Sequence, residues 1–205
     1  PVISEIGIKR SFIEKNEPLS DIAVITIGRK PGEAFDRNVE GDFNLTETES
    51  AMIKDVCTAF HTRGKKGIVI LNVGGVVETA SWKDLPDAIV LAWMPGQEGG
   101  HAVADVLTGK VNPSGKLPMT WARNYSDYSS ADDFPQSNGD AAYANYVEDV
   151  MVGYRHFCTR GIQPLYPFGY GLSYTTFAYA DMQVAQADDQ LTVTVEVKNT
   201  GKVAG

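Results

Sequence analysis

The side chains best suited to acid–base chemistry are concentrated in one stretch, residues 29–45, which reads RKPGEAFDRNVEGDFNL. Its charged residues are Arg29, Glu33, Asp36, Arg37, Glu40 and Asp42. A carboxyl group can act as a general acid or base, and a neighbouring arginine can bind it or shift its pKa. Spacing alone favours a solvated loop over a functional one, because charged side chains are mostly exposed.

Histidine and cysteine show no metal-ligand spacing, so we expect no metal. His61, His101 and His156 are scattered and are expected at the surface or at helix caps. Cys57 lies in a helical pattern and is predicted to be a buried small hydrophobe, as free cysteines usually are. Cys57 and Cys158 are too few for a disulfide framework.

No phosphate-binding glycine motif or nucleophile elbow is present, so we expect no cofactor. The glycine pairs at 74–75 and 99–100 are predicted to permit close helix–sheet packing instead. Trp82, Trp93 and Trp121 could line a sugar platform, but a core or interface role is the favoured interpretation.

Composition excludes several classes of protein. The 205 residues carry a net charge of −8, which argues against a nucleic-acid-binding surface. No apolar run is long enough to span a membrane. The chain starts at Pro1 without Met and ends inside a predicted strand pair, so we expect a piece of a longer protein. The compartment stays open, and a periplasmic or secreted location would fit.

Apolar, β-branched runs predict three buried parallel strands, at 21–28, 67–73 and 87–93. Predicted helices cover 4–16, a stretch from the Thr46–Glu49 capping box to about Arg63, a short stretch at 78–84, and 97–108. Alternating strands and helices predict an α/β fold with an open, mostly parallel sheet and helices on both faces.

Beyond residue 112 the pattern changes. Residues 124–141 are polar and predict a surface loop, and residues 164–177 are rich in aromatic residues and glycine. Strict alternation at 177–187 and 190–199 predicts an antiparallel strand pair with one solvated face, the start of a truncated β-sandwich.

These patterns divide the chain into three parts. Residues 1–123 are predicted to form the α/β domain that holds the charged loop, 124–177 an extended loop and connector packed on it, and 178–205 the first strands of the second domain. In open α/β sheets, sites form beyond the carboxyl ends of the strands. Residues 29–45 are the longest loop at those ends, which makes them a functional candidate.

Several segments together resemble glycoside hydrolase family 3 in its β-glucosidase branch. They are GRKPGEAFDR (28–37), GKKGIVILNVGG (64–75), PGQEGGHAVADVLTGKVNPSGKLPMTW (95–121), VGYRHF (152–157) and YPFGYGLSYTTF (166–177). The resemblance implies an N-terminal TIM barrel with an Asp nucleophile, then an α/β sandwich domain, then a fibronectin type III-like domain. No segment here resembles the barrel, so the nucleophile is not expected in this chain.

The resemblance also selects one carboxylate as the general acid/base. In the family that residue is the Glu of a loop with the pattern GEGxDR; here the loop is GEAFDR, which selects Glu33, with Ala34 in place of the usual Gly. Arg29, Asp36 and Arg37 are expected to support the loop, and we hypothesise that Asp36 pairs with Arg37. An Arg37–Glu33 pair would instead favour the carboxylate form and oppose the acid role.

The expected activity is retaining hydrolysis of terminal β-linked glucose from oligosaccharides or other glycosides. The chain alone is expected to be inactive and to associate with itself through apolar surface that the barrel would cover. Three alternatives stay open: a non-catalytic carbohydrate-binding or interaction module, a family member with β-xylosidase specificity, and a flavodoxin-like nucleotide-binding protein. The missing phosphate-binding motif argues against the last.

Overall fold

A computed structural model of the chain describes residues 9–33, 36–134 and 146–205. The helices in these ranges are α1 (Arg10–Asn16), α2 (Glu47–Thr62), α3 (Gly99–Leu107) and α4 (Tyr154–Arg160). The strands are β1 (Ile22–Arg29), β2 (Lys66–Val73), β3 (Ala88–Leu91), β4 (Phe177–Ala187) and β5 (Gln190–Asn199). None of the described helices is both long and apolar enough to cross a membrane.

The first three strands form one parallel sheet in the order β1–β2–β3, which confirms the predicted α/β fold class. All three strands were predicted within a few residues of their observed bounds. Helix α2 links β1 to β2 and packs against both strands. Because the strands are parallel, their carboxyl ends meet at one edge of the sheet, where residues 29–45 begin.

The prediction that both faces of the strand are buried is confirmed for β2 and is wrong for β1. In β2, Val69 and Leu71 are buried on one face and Ile70 on the other. In β1, burial alternates along the strand, and Ile22 and Val24 are 46% and 49% exposed. An apolar run shows which residues could be buried, but not whether a neighbouring element covers each face. Among the described residues β1 is an edge strand.

Helix α2 begins at the predicted capping box. The backbone N–H of Glu49 donates to Thr46 Oγ1 at 3.2 Å, and the backbone N–H of Thr46 donates to Glu49 Oε2 at 2.9 Å. These bonds satisfy N–H groups that a helix N-terminus otherwise leaves unpaired. Cys57, within this helix, is buried as predicted, and burial raises the pKa of its thiol.

Helix predictions elsewhere need correction. Residues 78–84 form a series of turns rather than a helix, and Trp82 and Lys83 donate backbone hydrogen bonds to Thr79. Pro86, which follows, cannot donate a backbone hydrogen bond to extend the turns. The first helix begins at Arg10, and residues 4–8 of its predicted range lie outside the described residues. Helix α4 was not predicted.

Strands β4 and β5 form the predicted antiparallel pair, with the predicted bounds. The expectation of one solvated face was wrong, because every residue of β5 is exposed and so is every residue of β4 after Phe177. Asn112 connects this hairpin to the α/β part: its Oδ1 accepts from the Tyr174 backbone N–H at 2.8 Å, and its Nδ2 donates to the Ala204 carbonyl at 3.0 Å.

Candidate active site

Glu33 lies on the loop that leaves β1, and its side chain is exposed to solvent. Within the described part of the chain, Glu33 has no ion pair or side-chain hydrogen bond. Asp36 is likewise exposed, and residues 34 and 35 lie outside the described residues.

Arg29 fixes the start of the loop. Its Nη1 and Nη2 donate to the two carboxylate oxygens of Glu49, each at 2.6 Å, and its Nε donates to the Asp42 carbonyl at 3.1 Å. Burial alone would raise the pKa of Glu49, but hydrogen bonds from Arg29 and Thr46 outweigh burial and lower it. Bidentate, charge-assisted bonds of this kind are among the stronger ones in proteins.

Arg37 fixes the middle of the loop, but not through the Asp36 pair that we hypothesised. Its Nη2 donates to the Asp42 carbonyl at 2.6 Å and its Nη1 to the Val76 carbonyl at 2.8 Å. The described residues show no ion pair between Arg37 and either Asp36 or Glu33. Burial is the main cause that lowers the pKa of Arg37; Asp42 opposes the shift and Arg29 adds to it.

The two arginines therefore close the loop at one point, because both donate to the carbonyl of Asp42. These contacts agree with the expectation that Arg29 and Arg37 support the loop, which stays a prediction. Glu49 was recognised only as part of a helix cap, although it is also the anion that holds Arg29.

The glycine pair at 74–75 serves the loop rather than helix–sheet packing, which corrects our interpretation. A Cβ on Gly74 would lie 2.5 Å from Cα of Pro31, and a Cβ on Gly75 would lie 2.5 Å from Nη1 of Arg37. Real Cβ atoms are essentially never found so close to other atoms. The absence of side chains at these two positions lets the loop lie directly on the end of β2.

Aromatic packing fixes the end of the loop. Phe43 is buried, and its ring meets those of Tyr125 and Tyr128 edge to face, with centroids 5.4 and 6.3 Å away. The Phe43 carbonyl accepts from the Glu78 backbone N–H at 2.7 Å. Burial raises the pKa of Tyr128 to about 12, and its hydroxyl oxygen accepts from the Ala122 backbone N–H.

A groove of about 310 Å³ lies at the carboxyl ends of the parallel strands, beside the start of the loop. Its walls are formed by Gly28, Arg29, Lys30, Pro31, Asn72 and Met94. A larger cleft of about 850 Å³ lies between residues 40–45, 78–81 and 123–126. In this second cleft, both carboxylate oxygens of Glu78 already accept from Ser81.

The other candidate residues have structural contacts. Trp82 and Trp121 are buried, as the core interpretation predicted, and Trp93 is partly buried and packs against Trp121 with ring centroids 5.9 Å apart. His61 is exposed in the last turn of α2 and bonds to Asp87, and His101 is exposed beside Glu98. No three His, Cys, Asp or Glu side chains within residues 9–33, 36–134 and 146–205 form a metal-binding group.

The family of the chain follows from comparison with known proteins. Residues 11–174 match the model of the glycosyl hydrolase family 3 C-terminal domain. Beta-glucosidase A of Butyrivibrio fibrisolvens is 37% identical over the whole of this chain, which spans 29% of that protein. Beta-glucosidase of Ruminococcus albus is 37% identical over 98% of this chain, which corresponds to 21% of its length.

Solved structures give the same result. The structure of beta-glucosidase 3B from Thermotoga neapolitana in complex with glucose is 49% identical, with a TM-score of 0.91 over the whole of this chain and 29% of that one. A beta-glucosidase from Paenibacillus barengoltzii is 37% identical, with a TM-score of 0.82 over 97% of this chain and 22% of that one. The chain belongs to glycosyl hydrolase family 3, and it spans less than a third of the length of these relatives.

Proposed function

We propose that this chain supplies the general acid/base, Glu33, of a retaining β-glucosidase whose nucleophile lies outside the chain. The observation that carries the proposal is the position of Glu33. It is an exposed carboxyl group at the carboxyl edge of a parallel sheet, on a loop fixed on both sides by Arg29 and Arg37. The relatives named beta-glucosidases support the choice of substrate class.

The reaction has two steps, and Glu33 gives up a proton in the first and takes one up in the second. In the first, a carboxylate about 5–5.5 Å from Glu33 attacks the anomeric carbon, and the bond to the leaving oxygen breaks as the Glu33 carboxyl group protonates that oxygen. In the second, the Glu33 carboxylate removes a proton from water. The water oxygen bonds to the anomeric carbon and displaces the enzyme carboxylate, which restores the starting state.

The arginine contacts suit this role. A guanidinium paired with Glu33 would hold it as a carboxylate, which cannot donate the first proton. Arg29 is instead bonded to Glu49, and Arg37 to the carbonyls of Val76 and Asp42. Both arginines thus contribute positional order to the loop while leaving the Glu33 carboxyl group available.

The test is Glu33→Gln in the full-length protein that contains this chain. The variant removes the proton donor, so kcat/KM should fall by about 10²–10⁴-fold for cellobiose, whose leaving group needs protonation. For an aryl glucoside with a nitrophenolate leaving group, the loss in this first step should be much smaller. Steady-state and burst kinetics on the two substrates measure the difference.

Glu40→Gln is the matched control, since Glu40 is an exposed carboxylate in the same loop that accepts from Asn44 Nδ2. In this variant, kcat/KM for each of the two substrates should change by less than about threefold. Equal losses on cellobiose and the aryl glucoside in Glu33→Gln would contradict the acid role. An isolated chain that binds glucose or cellobiose tightly would favour a carbohydrate-binding module instead.

A further inference from the structure

Gly74, the residue that follows β2, touches the loop that carries Glu33 at a point where no side chain would fit. A Cβ on Gly74 would lie 2.5 Å from both Cα and Cβ of Pro31 and 2.9 Å from its backbone nitrogen. All three atoms belong to the proline ring, so they cannot turn aside as the end of a flexible side chain can. The φ of Gly74 lies outside the positive range, so its backbone conformation does not require glycine. What excludes a side chain at this position is therefore Pro31.

Pro31 is joined to Glu33 by a short piece of chain. The ring fixes φ of Pro31 near about −65° and restricts the residue before it to extended conformations. Gly32, the one residue between Pro31 and Glu33, has a φ of 81°, the left-handed conformation found in tight turns. With a single residue between them, a shift of Pro31 is carried to Glu33.

The segment after β2 also supports the loop on the other side of Glu33. Arg37, four residues further on, donates from Nη1 to the Val76 carbonyl at 2.8 Å. A Cβ on Gly75 would meet mainly the end of the Arg37 side chain, with Nη1 at 2.5 Å, and a side chain of this length can move. Of the two glycines, only Gly74 therefore meets the backbone of the loop.

The closeness of this contact determines how far a side chain would displace the loop. Favourable contact between two carbon atoms begins near about 3.5 Å, so a Cβ on Gly74 would push Pro31 outward by about 1 Å. A general acid must lie within hydrogen-bond reach of the oxygen that it protonates, about 2.6–3.2 Å. A misplacement of about 1 Å can cost about 10²-fold in rate.

We infer that Gly74 is a positioning residue for the proposed acid/base, because it lets Pro31 rest on the end of β2 and thereby sets the distance of Glu33 from the leaving oxygen. The inference rests on the proposed function, since it takes Glu33 as the acid. It assigns a role in that function to a residue that has no side chain and takes no part in proton transfer.

Gly74→Ala in the full-length enzyme tests the inference with two substrates whose leaving groups are both phenyl rings. Phenyl β-glucoside releases a basic phenolate that needs a proton, whereas dinitrophenyl β-glucoside releases a stable anion that does not. The value of kcat/KM should fall by about 10²-fold for the first and by less than about threefold for the second. The ratio of the two values is the readout, because it does not depend on how much of the protein is folded. A merely structural role of Gly74 would lower both values together.

Pro31→Gly changes the same contact from the side of the loop, and it decides the question if Gly74→Ala does not fold. It removes the ring that rests on Gly74 and frees φ at an exposed position, so the loop is loosened rather than displaced. The dinitrophenyl-to-phenyl ratio should rise by about tenfold.

Gly115→Ala is the matched control, because it is the same substitution as Gly74→Ala at an exposed glycine. A Cβ on Gly115 would have no atom of the described residues within 4 Å, and its φ lies outside the positive range. The ratio should stay within about twofold of the parent value.

A ratio within about twofold of the parent value in Pro31→Gly, or in a folded Gly74→Ala, would overturn the role of Gly74. Glu33→Gln, measured beside them, separates this inference from the proposed function. If Glu33→Gln raises the ratio and the other two variants do not, only the role of Gly74 fails. If Glu33→Gln leaves the ratio unchanged, Glu33 is not the acid and both proposals fail.

Discussion

The β4–β5 hairpin and the loop of residues 29–45 differ in both regularity and attachment. The hairpin pairs regularly along most of its length, yet almost all of its residues are exposed. The loop has little regular structure, yet two arginines and a buried phenylalanine fix it to the α/β part. Regular backbone pairing and tight attachment to a core are therefore separate properties in this chain.

The difference shows which interactions hold each region. A two-stranded hairpin is marginal on its own, because pairing without burial adds little stability. The loop gains its order from charge-assisted hydrogen bonds, which cost little side-chain freedom when the guanidinium is already buried and planar. Hydrogen bonds of this kind suit the role proposed for the loop, which is to hold the Glu33 carboxyl group in one position.

The largest expected effect compares one leucine from each sheet. Leu71 is 1% exposed in β2, and Leu191 is 66% exposed in β5. Leu71→Ala should lower the free energy of unfolding by about 2–5 kcal/mol, because it leaves a cavity in the core. Leu191→Ala should change it by less than about 0.5 kcal/mol. Urea unfolding of the two variants measures both values; similar losses would mean that the hairpin contributes a core of its own.

The second comparison uses arginines. Arg37→Ala removes the donors to the carbonyls of Val76 and Asp42, and should lower the free energy of unfolding by about 1.5–3 kcal/mol. Arg10→Ala, which removes an exposed ion pair with Glu14, should cost less than about 0.5 kcal/mol. Urea unfolding again gives the values. The Asn38 backbone N–H donates to Asp42 Oδ2 at 3.1 Å, so its hydrogen exchange should become faster in Arg37→Ala alone. Unchanged exchange there would show that the loop does not depend on Arg37.

The smallest expected effect is a pH dependence of stability caused by Asp87, which lies outside both the hairpin and the loop. Hydrogen bonds from Lys66, the Gly67 backbone N–H and His61 lower the pKa of Asp87. A carboxyl group with a lowered folded pKa stabilises the fold above its unfolded pKa of about 3.9, and this contribution is lost as the pH falls further. Asp87→Asn should therefore be less stable than the parent chain at pH 6, and the gap should narrow below about pH 4.

Thermal melting between pH 3 and pH 7 checks the prediction for Asp87. Asp84→Asn is the control, because Asp84 is 85% exposed and its ion pair with Lys83 joins two adjacent residues. Its melting temperature should follow that of the parent chain at every pH. A gap for Asp87→Asn that stays constant between pH 3 and pH 7 would show that ionisation of Asp87 does not contribute.

Local sequence patterns predicted the features that depend only on residues close together in the chain. The period-two alternation at 190–199 gave the bounds of β5, and the Thr46–Glu49 pair gave the start of α2. The turns at 78–84 were mistaken for a helix, because Glu78 has both its side chain and its carbonyl engaged locally, by Ser81 and by the Trp82 indole N–H. Competition of this kind cannot be recognised from periodicity.

Contacts between distant residues could not be predicted in the same way. Arg37 and Val76 are 39 positions apart, and Arg29 and Glu49 are 20 apart. No local rule assigns such partners, so the hypothesis paired Arg37 with its sequence neighbour Asp36. The pattern of residue types gave a charged loop, and only the family resemblance selected Glu33 from it. Whether Glu33 is the acid stays a prediction until the kinetics are measured.

Glu49 has one further consequence, for how the sequence can change. Its carboxylate accepts both from the N-terminus of α2 and from the guanidinium of Arg29. A substitution tolerated as a helix cap, such as Gln, keeps an acceptor but loses the charge and one of the two oxygens. A change at Glu49 should therefore alter the start of this helix and the attachment of the loop together.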